Sequence, residues 1–379
     1  MVVSVAVQDL LYGNKTGIGF YQSEILNALS EMDKDNKYLL DIFSFRNSIP
    51  DIERARYFFK GAELNICEWF NYGWAKKLWY LIPIPYKIFF PKKSDVSFFF
   101  NYFVPPFAHG RSVVMVYDTV VNDMSDTMDA RTRFSLQNNL RRSIRRADVV
   151  VTISQFSKER IMYHYGVDPD KIRIAPCGYR EDLFHNNYPS YKIDRTKQKY
   201  EITGDYFLYL GTLEPRKNIE RLVEAYASLR NITDDCPKLV LAGGKGWLYD
   251  SIFEIVKKQE LENDVIFTGY VDDEDVPLLM NGAMTFCFPS LYEGFGMPPL
   301  EAMACGTPVI TSNISSLPEV VGEAAITVDP YSVDSICKAL HKVINDDELR
   351  ENMSQRGLEQ CKKFSWKKSA EIFLDIINN

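Results

Sequence analysis

Short runs of β-branched and aromatic residues alternate along this chain with longer segments whose apolar positions recur every three or four residues. In the first half, residues 2–7 (VVSVAV) predict a strand, 20–29 a helix, 37–45 a second strand, and 113–117 and 149–153 two later strands. A polar, lysine-containing stretch without period, about 186–198, then reads as a linker. Residues 206–210 (YFLYL) open a second series, with strand patterns at 239–242, 265–267, 285–288 and 309–311 and helix patterns between them. Apolar runs of this kind suit strands buried on both faces, and strands that alternate with helices form parallel sheets. Each half begins with its own strand, then a glycine, then a helix, as Rossmann-like units do. The predicted fold class is therefore α/β with two Rossmann-like domains, at 1–185 and 205–364, joined by a linker at 186–204.

Length agrees, because 379 residues exceed what one hydrophobic core usually supports. A formal net charge of −7 argues against nucleic acid as the main partner. The seven cysteines are scattered without a Cys-x-x-Cys pair, so neither a disulfide framework nor a zinc site is indicated, and the cytosol is the expected compartment. Residues 1–10 start directly on a strand pattern rather than a basic leader followed by an apolar core. The most membrane-like run, 78–90, is broken by Pro83, Pro85 and Lys87 and is too short to span a bilayer.

The densest candidate chemistry lies in EGFGMPPLE, where Glu293 and Glu301 flank a Gly-Pro-rich turn between a strand pattern and a strong helix former. Pro298 and Pro299 suit the first helical positions, where a missing N–H costs nothing. Gly294 and Gly296 allow close backbone approach near a helix N-terminus, which favours anions. A diphosphate-bearing, hydroxyl-rich ligand fits, with one carboxylate accepting from a sugar and the other from a ribose. Two solvated helix-start glutamates would give the same pattern. Arg216 and Lys217, adjacent cations after the 206–210 strand, would neutralise a diphosphate leaving group, or simply sit solvated on a loop. Gly17 and Gly19, in Thr16-Gly17-Ile18-Gly19, precede a predicted helix and offer backbone contacts to phosphates, although such a pair also marks an ordinary turn. Tyr270 and Val271 lie at another strand end, where a nucleobase would stack or meet the backbone; a half-buried turn tyrosine reads the same way.

Together these segments resemble the retaining GT-B-fold glycosyltransferases of the family-4 type, and the resemblance spans essentially the whole chain. GTLEPRKNIERLVEAY, TGYVDDEDV and SLYEGFGMPPLEAMACGTPVITSNISSLPEVVGEAA occur in the family's order; TGIGFY, RRADVVVTISQFSKE and IRIAPCGYREDLF carry it in the first half. The resemblance implies two Rossmann-like domains facing a central cleft, the nucleotide sugar held mainly by the second. On matching positions, Arg216 and Lys217 hold the diphosphate, Glu301 the ribose hydroxyls and Glu293 the transferred sugar. Gly294, Phe295 and Gly296 supply backbone contacts. Ser154 falls on the acceptor side, Cys177 and Gly178 at the hinge, and the tail 365–379 on a helix that crosses back to the first domain. One position departs: where many members carry His-Asp, this chain has Tyr117-Asp118. Either the carbonyl at 117 or the Asp118 carboxylate then supports the reacting sugar, or Asp118 only caps a turn and Tyr117 packs.

The resemblance to bacterial-type mannosyltransferases of surface polysaccharide and O-antigen assembly implies a retaining hexosyltransferase with GDP-mannose as the leading donor. A dTDP-rhamnose or UDP-hexose enzyme, and a catalytically weak sugar-nucleotide-binding protein, are the alternatives. The acceptor is a growing, lipid-linked glycan. No cofactor and no metal are expected: Asp168-Pro169-Asp170 and Asp273-Glu274-Asp275 imitate a metal motif but read as turn or capping segments. Arg131, Arg133, Arg141, Arg142, Arg145 and Arg146 form a basic stretch that would attract an anionic inner-membrane surface or a lipid diphosphate, or serve as a solvated helix face. Aromatic residues from Trp69 to Tyr80, and Phe98 to Phe100, would shape an acceptor groove or pack in the core.

Overall fold

The computed structural model describes residues 1–11, 17–46, 52, 55–57, 59–125, 130–244, 246 and 249–379. Thr16 lies outside the described residues, as does the side chain of Arg131. The chain divides into two compact units, Met1–Gly178 with Ser365–Asn379, and Tyr179–Phe364. The first boundary falls at the Cys177-Gly178 pair rather than at 185. Residues 186–204 hold the helix Ser190–Lys199 and belong to the second unit.

In unit 1, strands β1 (Val2–Ala6), β2 (Lys37–Phe43), β3 (Glu63–Cys67), β4 (Val96–Phe99), β5 (Arg111–Met115), β6 (Val149–Thr152) and β7 (Ile172–Ile174) form a sheet of order β3-β2-β1-β4-β5-β6-β7. All pairings are parallel. The residues 98–100, candidates for an acceptor groove, are buried instead, Phe98 and Phe99 within β4. Phe100 stacks on Phe373 of the terminal helix Trp366–Asn378 at 5.6 Å, and Phe98 meets the same ring at 5.5 Å. That helix is started by Ser365, which accepts from the Lys368 N–H, and it packs on the helix Gly17–Met32 through Trp366 against Tyr21. Gly178 touches its first turn so closely that a Cβ would lie 2.3 Å from the Trp366 nitrogen, so the chain passes in and out of unit 1 side by side.

Unit 2 repeats the plan with six strands, β8 (Tyr206–Leu210), β9 (Lys238–Ala242), β10 (Val265–Gly269), β11 (Thr285–Phe288), β12 (Val309–Ser312) and β13 (Ile326–Val328), in the order β10-β9-β8-β11-β12-β13. β8, β11 and β12 are buried along nearly their whole length, covered on both faces, which suits their mainly apolar and β-branched residues. The helix Ile219–Arg230 turns Ile219, Leu222, Val223, Tyr226 and Leu229 inward, the three- and four-residue spacing of one helical face. The strand order reverses at β8, which lies between β9 and β11. Loops at the carboxyl ends of two such strands diverge around a crevice, the usual ligand position of a doubly wound sheet.

Candidate active site

The reversal at β8 brings together residues 76 positions apart. After β8 the chain makes a short 3-10 turn, Pro215–Lys217, with proline at its start and Asn218 in the left-handed conformation at its end (φ 62°). The buried Asn218 amide donates to the carbonyls of Pro289 (3.0 Å) and Pro330 (2.7 Å), and the Leu291 N–H donates to the Arg216 carbonyl (2.9 Å). The turn is thereby tied to the loop that follows β11. From it Lys217 Nζ reaches Glu293 Oε1 at 2.7 Å, and Arg216 reaches the same oxygen at 3.1 Å. Arg216 also donates to the Tyr292 carbonyl and to Glu214 Oε1, each at 2.6 Å. The Lys217 ammonium lies 4.9 Å from the centre of the Phe288 ring.

Serine hydroxyls fix the other side. Ser316 Oγ donates to the carbonyls of Glu293 (2.9 Å) and Phe295 (2.7 Å), Ser315 Oγ accepts from the Glu293 N–H (3.3 Å), and Ser312 Oγ donates to the Ser290 carbonyl (2.6 Å). Phe295 is buried edge-on against Phe364. Gly296 adopts φ 115°, and a Cβ there would lie 2.7 Å from Leu317 Cδ2, so the turn into the helix Met297–Ala304 needs glycine.

Electrostatics divide the two carboxylates. Burial pushes the Glu293 carboxyl up, but Arg216 and Lys217 overcome it and hold it at about 2. Lys217 gains less from the pair: burial lowers its pKa, Arg216 lowers it further, and Glu293 only partly restores it. The cluster therefore contains a cation that a second anion would stabilise. Glu301, half-buried in the second turn of its helix, has no such partner in contact among the described residues, and burial raises its carboxyl to about 8 against the opposing pull of Arg180.

The remaining predicted residues are dispersed. Tyr270 is 71% exposed beside Asp273, which adds to the field on Glu301, whereas Val271 is buried. In unit 1, the helix already begins at Gly17, so Gly19 lies in its first turn rather than on a preceding loop. Ser154 is buried and caps the helix Gln155–Tyr165, accepting from the Ser157 N–H at 3.0 Å. Asp118 Oδ1 accepts from the Val120 N–H at 3.1 Å. Tyr117 is buried edge-on against Tyr21 and Tyr102, and its hydroxyl has no hydrogen-bond partner among the described residues. Asp168 caps a short turn and Asp275 pairs with Lys199, as turn segments would. Glu214, Asn218, Ser315, Ser316 and Arg180 were not singled out from sequence; their signal was only their place inside the motif-bearing segments.

Residues 192–360 match the family model for glycosyl transferases group 1, and residues 62–183 match that for Glycosyltransferase Family 4. The two units have the GT-B fold. It is 40% identical over 232 residues to the O-antigen chain mannosyltransferase B of Escherichia coli, a match covering 61% of this chain and 60% of that protein. It is 32% identical over 232 residues to the serotype-specific mannosyltransferase WbdA of the same species, covering 61% of this chain and 28% of that one. These matches thus span less than two thirds of either relative. Among solved structures, Anabaena HepE in complex with UDP and glucose superposes with a TM-score of 0.73 at 17% identity, covering 100% of this chain and 99% of that one, a likeness of fold. The Arg216–Lys217–Glu293 cluster falls inside the group 1 segment, at the strand reversal.

Proposed function

We propose that the chain transfers mannose from GDP-mannose, with retention of configuration and without a metal ion, onto a growing lipid-linked glycan of O-antigen type, at the cytoplasmic face of a membrane. The observation that carries the chemistry is the two-cation cluster on Glu293, because it offers positive charge where a diphosphate leaving group develops negative charge. The mannose assignment rests on the likeness to two mannosyltransferases. In the free protein Glu293 occupies the cations; when the donor arrives, its phosphates compete for Lys217 and the carboxylate turns to sugar hydroxyls. Glu293, the carboxylate of the cluster, is engaged by Arg216 and Lys217, which favours attack by the acceptor hydroxyl on the face the diphosphate leaves over a covalent intermediate. Transfer of labelled sugar from a panel of GDP-mannose, dTDP-rhamnose and UDP-hexoses onto lipid-linked acceptors tests this. Turnover with GDP-mannose supports it, another preferred donor corrects the sugar, and donor affinity without turnover points to a binding protein.

Two further results are expected. Since cationic side chains and a helix N-terminus are assigned to the diphosphate, transfer should survive EDTA. Loss of activity that manganese or magnesium restores would show that a metal takes part.

The carboxylates should separate. Ionised Glu301 accepts more strongly from two ribose hydroxyls than its neutral form, so nucleoside diphosphate affinity should rise up to roughly tenfold between pH 7 and 9, and Glu301→Gln should flatten that slope and weaken binding above pH 8 by roughly 1–3 kcal/mol. The same raised pKa makes the Glu301 contribution to folding greatest below about 4.5 and lost as pH rises through about 8. Glu293→Gln should leave nucleoside diphosphate affinity unchanged or tighter, because it releases Lys217 while Arg216 keeps Glu214, yet depress transfer and blur discrimination between donor sugars. Calorimetry across pH and rates on two donors decide both. Equal loss of nucleotide affinity in the two variants would break this division of labour.

A further inference from the structure

Unit 1 carries an apolar face flanked by lysines and arginines, with exposed Glu68 at its Trp69 end. The helix Tyr72–Leu81 starts at Asn71, whose Oδ1 accepts from the N–H groups of Gly73 and Trp74. Ala75 and Trp79 point into the core, so positions 74, 77 and 81 lie on the opposite side of the helix. Trp74 is 63% exposed and Leu81 82%, and Ile82 continues the strip. The Tyr86 N–H donates to the Pro106 carbonyl at 2.7 Å, setting exposed Phe107 beside the segment that carries exposed Ile88. Trp69 stacks on buried Phe89 at 5.4 Å and remains half exposed.

Charge is segregated around this strip. Residues 69–93 contain no Asp or Glu, and neither do residues 130–146, in a chain of net charge −7. Lys77 and Lys87 are exposed, and the Lys77 ammonium lies 5.0 Å from the Trp74 ring. Arg142 donates to the Tyr80 carbonyl at 3.3 Å, which sets the end of the helix Ala130–Arg146 beside Tyr72–Leu81 with Arg141, Arg142 and Arg145 exposed. Among the described residues no helix is long and apolar enough to cross a membrane.

We infer that this face docks on an anionic lipid bilayer, with Trp74, Leu81, Ile82 and Ile88 in the interfacial layer and the lysines and arginines against headgroups. Exposed tryptophan and aliphatic side chains bordered by basic ones are what an interfacial seat requires. A second copy is a poor occupant, because a symmetric contact would set the same lysines and arginines against each other. The inference deepens the proposed membrane-face location and rests on it, but not on the choice of donor.

The test is sedimentation of the full chain with phosphatidylcholine vesicles, with and without phosphatidylglycerol. Binding is expected only when phosphatidylglycerol is present, and it should fall as salt rises. Trp74→Ala with Leu81→Ala should weaken it at least about tenfold, as should Lys77→Glu with Lys87→Glu, whose exposed side chains leave folding intact. Transfer to a water-soluble acceptor should be unchanged in both variants, so failed docking and failed donor chemistry are read separately. Absence of binding to anionic vesicles, equal binding by the variants, or a dimer in sedimentation equilibrium that both variants dissociate would each overturn the assignment.

Discussion

Lys217→Ala should lower turnover by about a hundredfold or more, the loss expected when one preorganised charge contact to a developing anion is removed. Stability should fall much less. Glu293 keeps Arg216 at 3.1 Å when Lys217 is gone, so the carboxylate is not stranded. Its pKa, depressed from 4.5 to about 2, amounts to roughly 3 kcal/mol of stability, present above about pH 4.5 and lost as pH falls toward 2. Lys217 offsets part of that, because burial disfavours its charge in the same contact. A destabilisation of about 1–3 kcal/mol is therefore expected, with acid sensitivity shifted upward in pH. Circular dichroism melts across pH and single-turnover rates separate the two effects. A folded variant with unchanged rates would remove Lys217 from the donor site.

Much of this arrangement was legible in the sequence, and the unread part has physical causes. Buried parallel strands such as β8 are plain apolar runs, and β8 was read to both ends. β7 and β13, three residues each, are too short to show a pattern, and β4 is hidden in an aromatic run. Residues 186–198 looked like a linker because Ser190–Lys199 has no apolar stripe. Only Thr196 is buried in that helix, and its end is tied down by Lys199 pairing with Asp272 and Asp275. The cations and Glu293 were each readable by type, but their contact depends on β8 lying beside β11, which is set by sheet order rather than by local spacing. The supporting serines carry no signature, since a hydroxyl that anchors a loop looks in sequence like any surface hydroxyl. Asp41 was likewise invisible. It sits buried within β2, accepting from Ser4, Asn65 and Tyr86, and burial raises its carboxyl to about 6.

The pair Tyr117-Asp118 stands where the resemblance to family-4 enzymes leads one to expect His-Asp, and the structure makes its two substitutions discriminating. Tyr117 cannot act as a base near neutral pH, because burial holds its phenol well above the ordinary value, and its hydroxyl lacks a partner among the described residues. Tyr117→Phe should therefore retain most activity and raise stability by about 1 kcal/mol, since a buried unsatisfied hydroxyl is removed and the ring contacts with Tyr21 and Tyr102 remain. Asp118→Asn keeps an oxygen to accept from the Val120 N–H, so the turn survives while the charge is lost. If that carboxylate orients the sugar or supports a cationic transition state, turnover should drop about a hundredfold with little change in melting temperature. Steady-state rates and thermal melts on both variants are sufficient. Loss at Asp118 alone supports its electrostatic role. A Tyr117→Phe variant that loses activity would mean that the phenol hydroxyl finds its partner in the substrate and donates where an imidazole otherwise would. Full activity in both would leave this segment no side-chain role in catalysis, only that of the backbone carbonyl at 117.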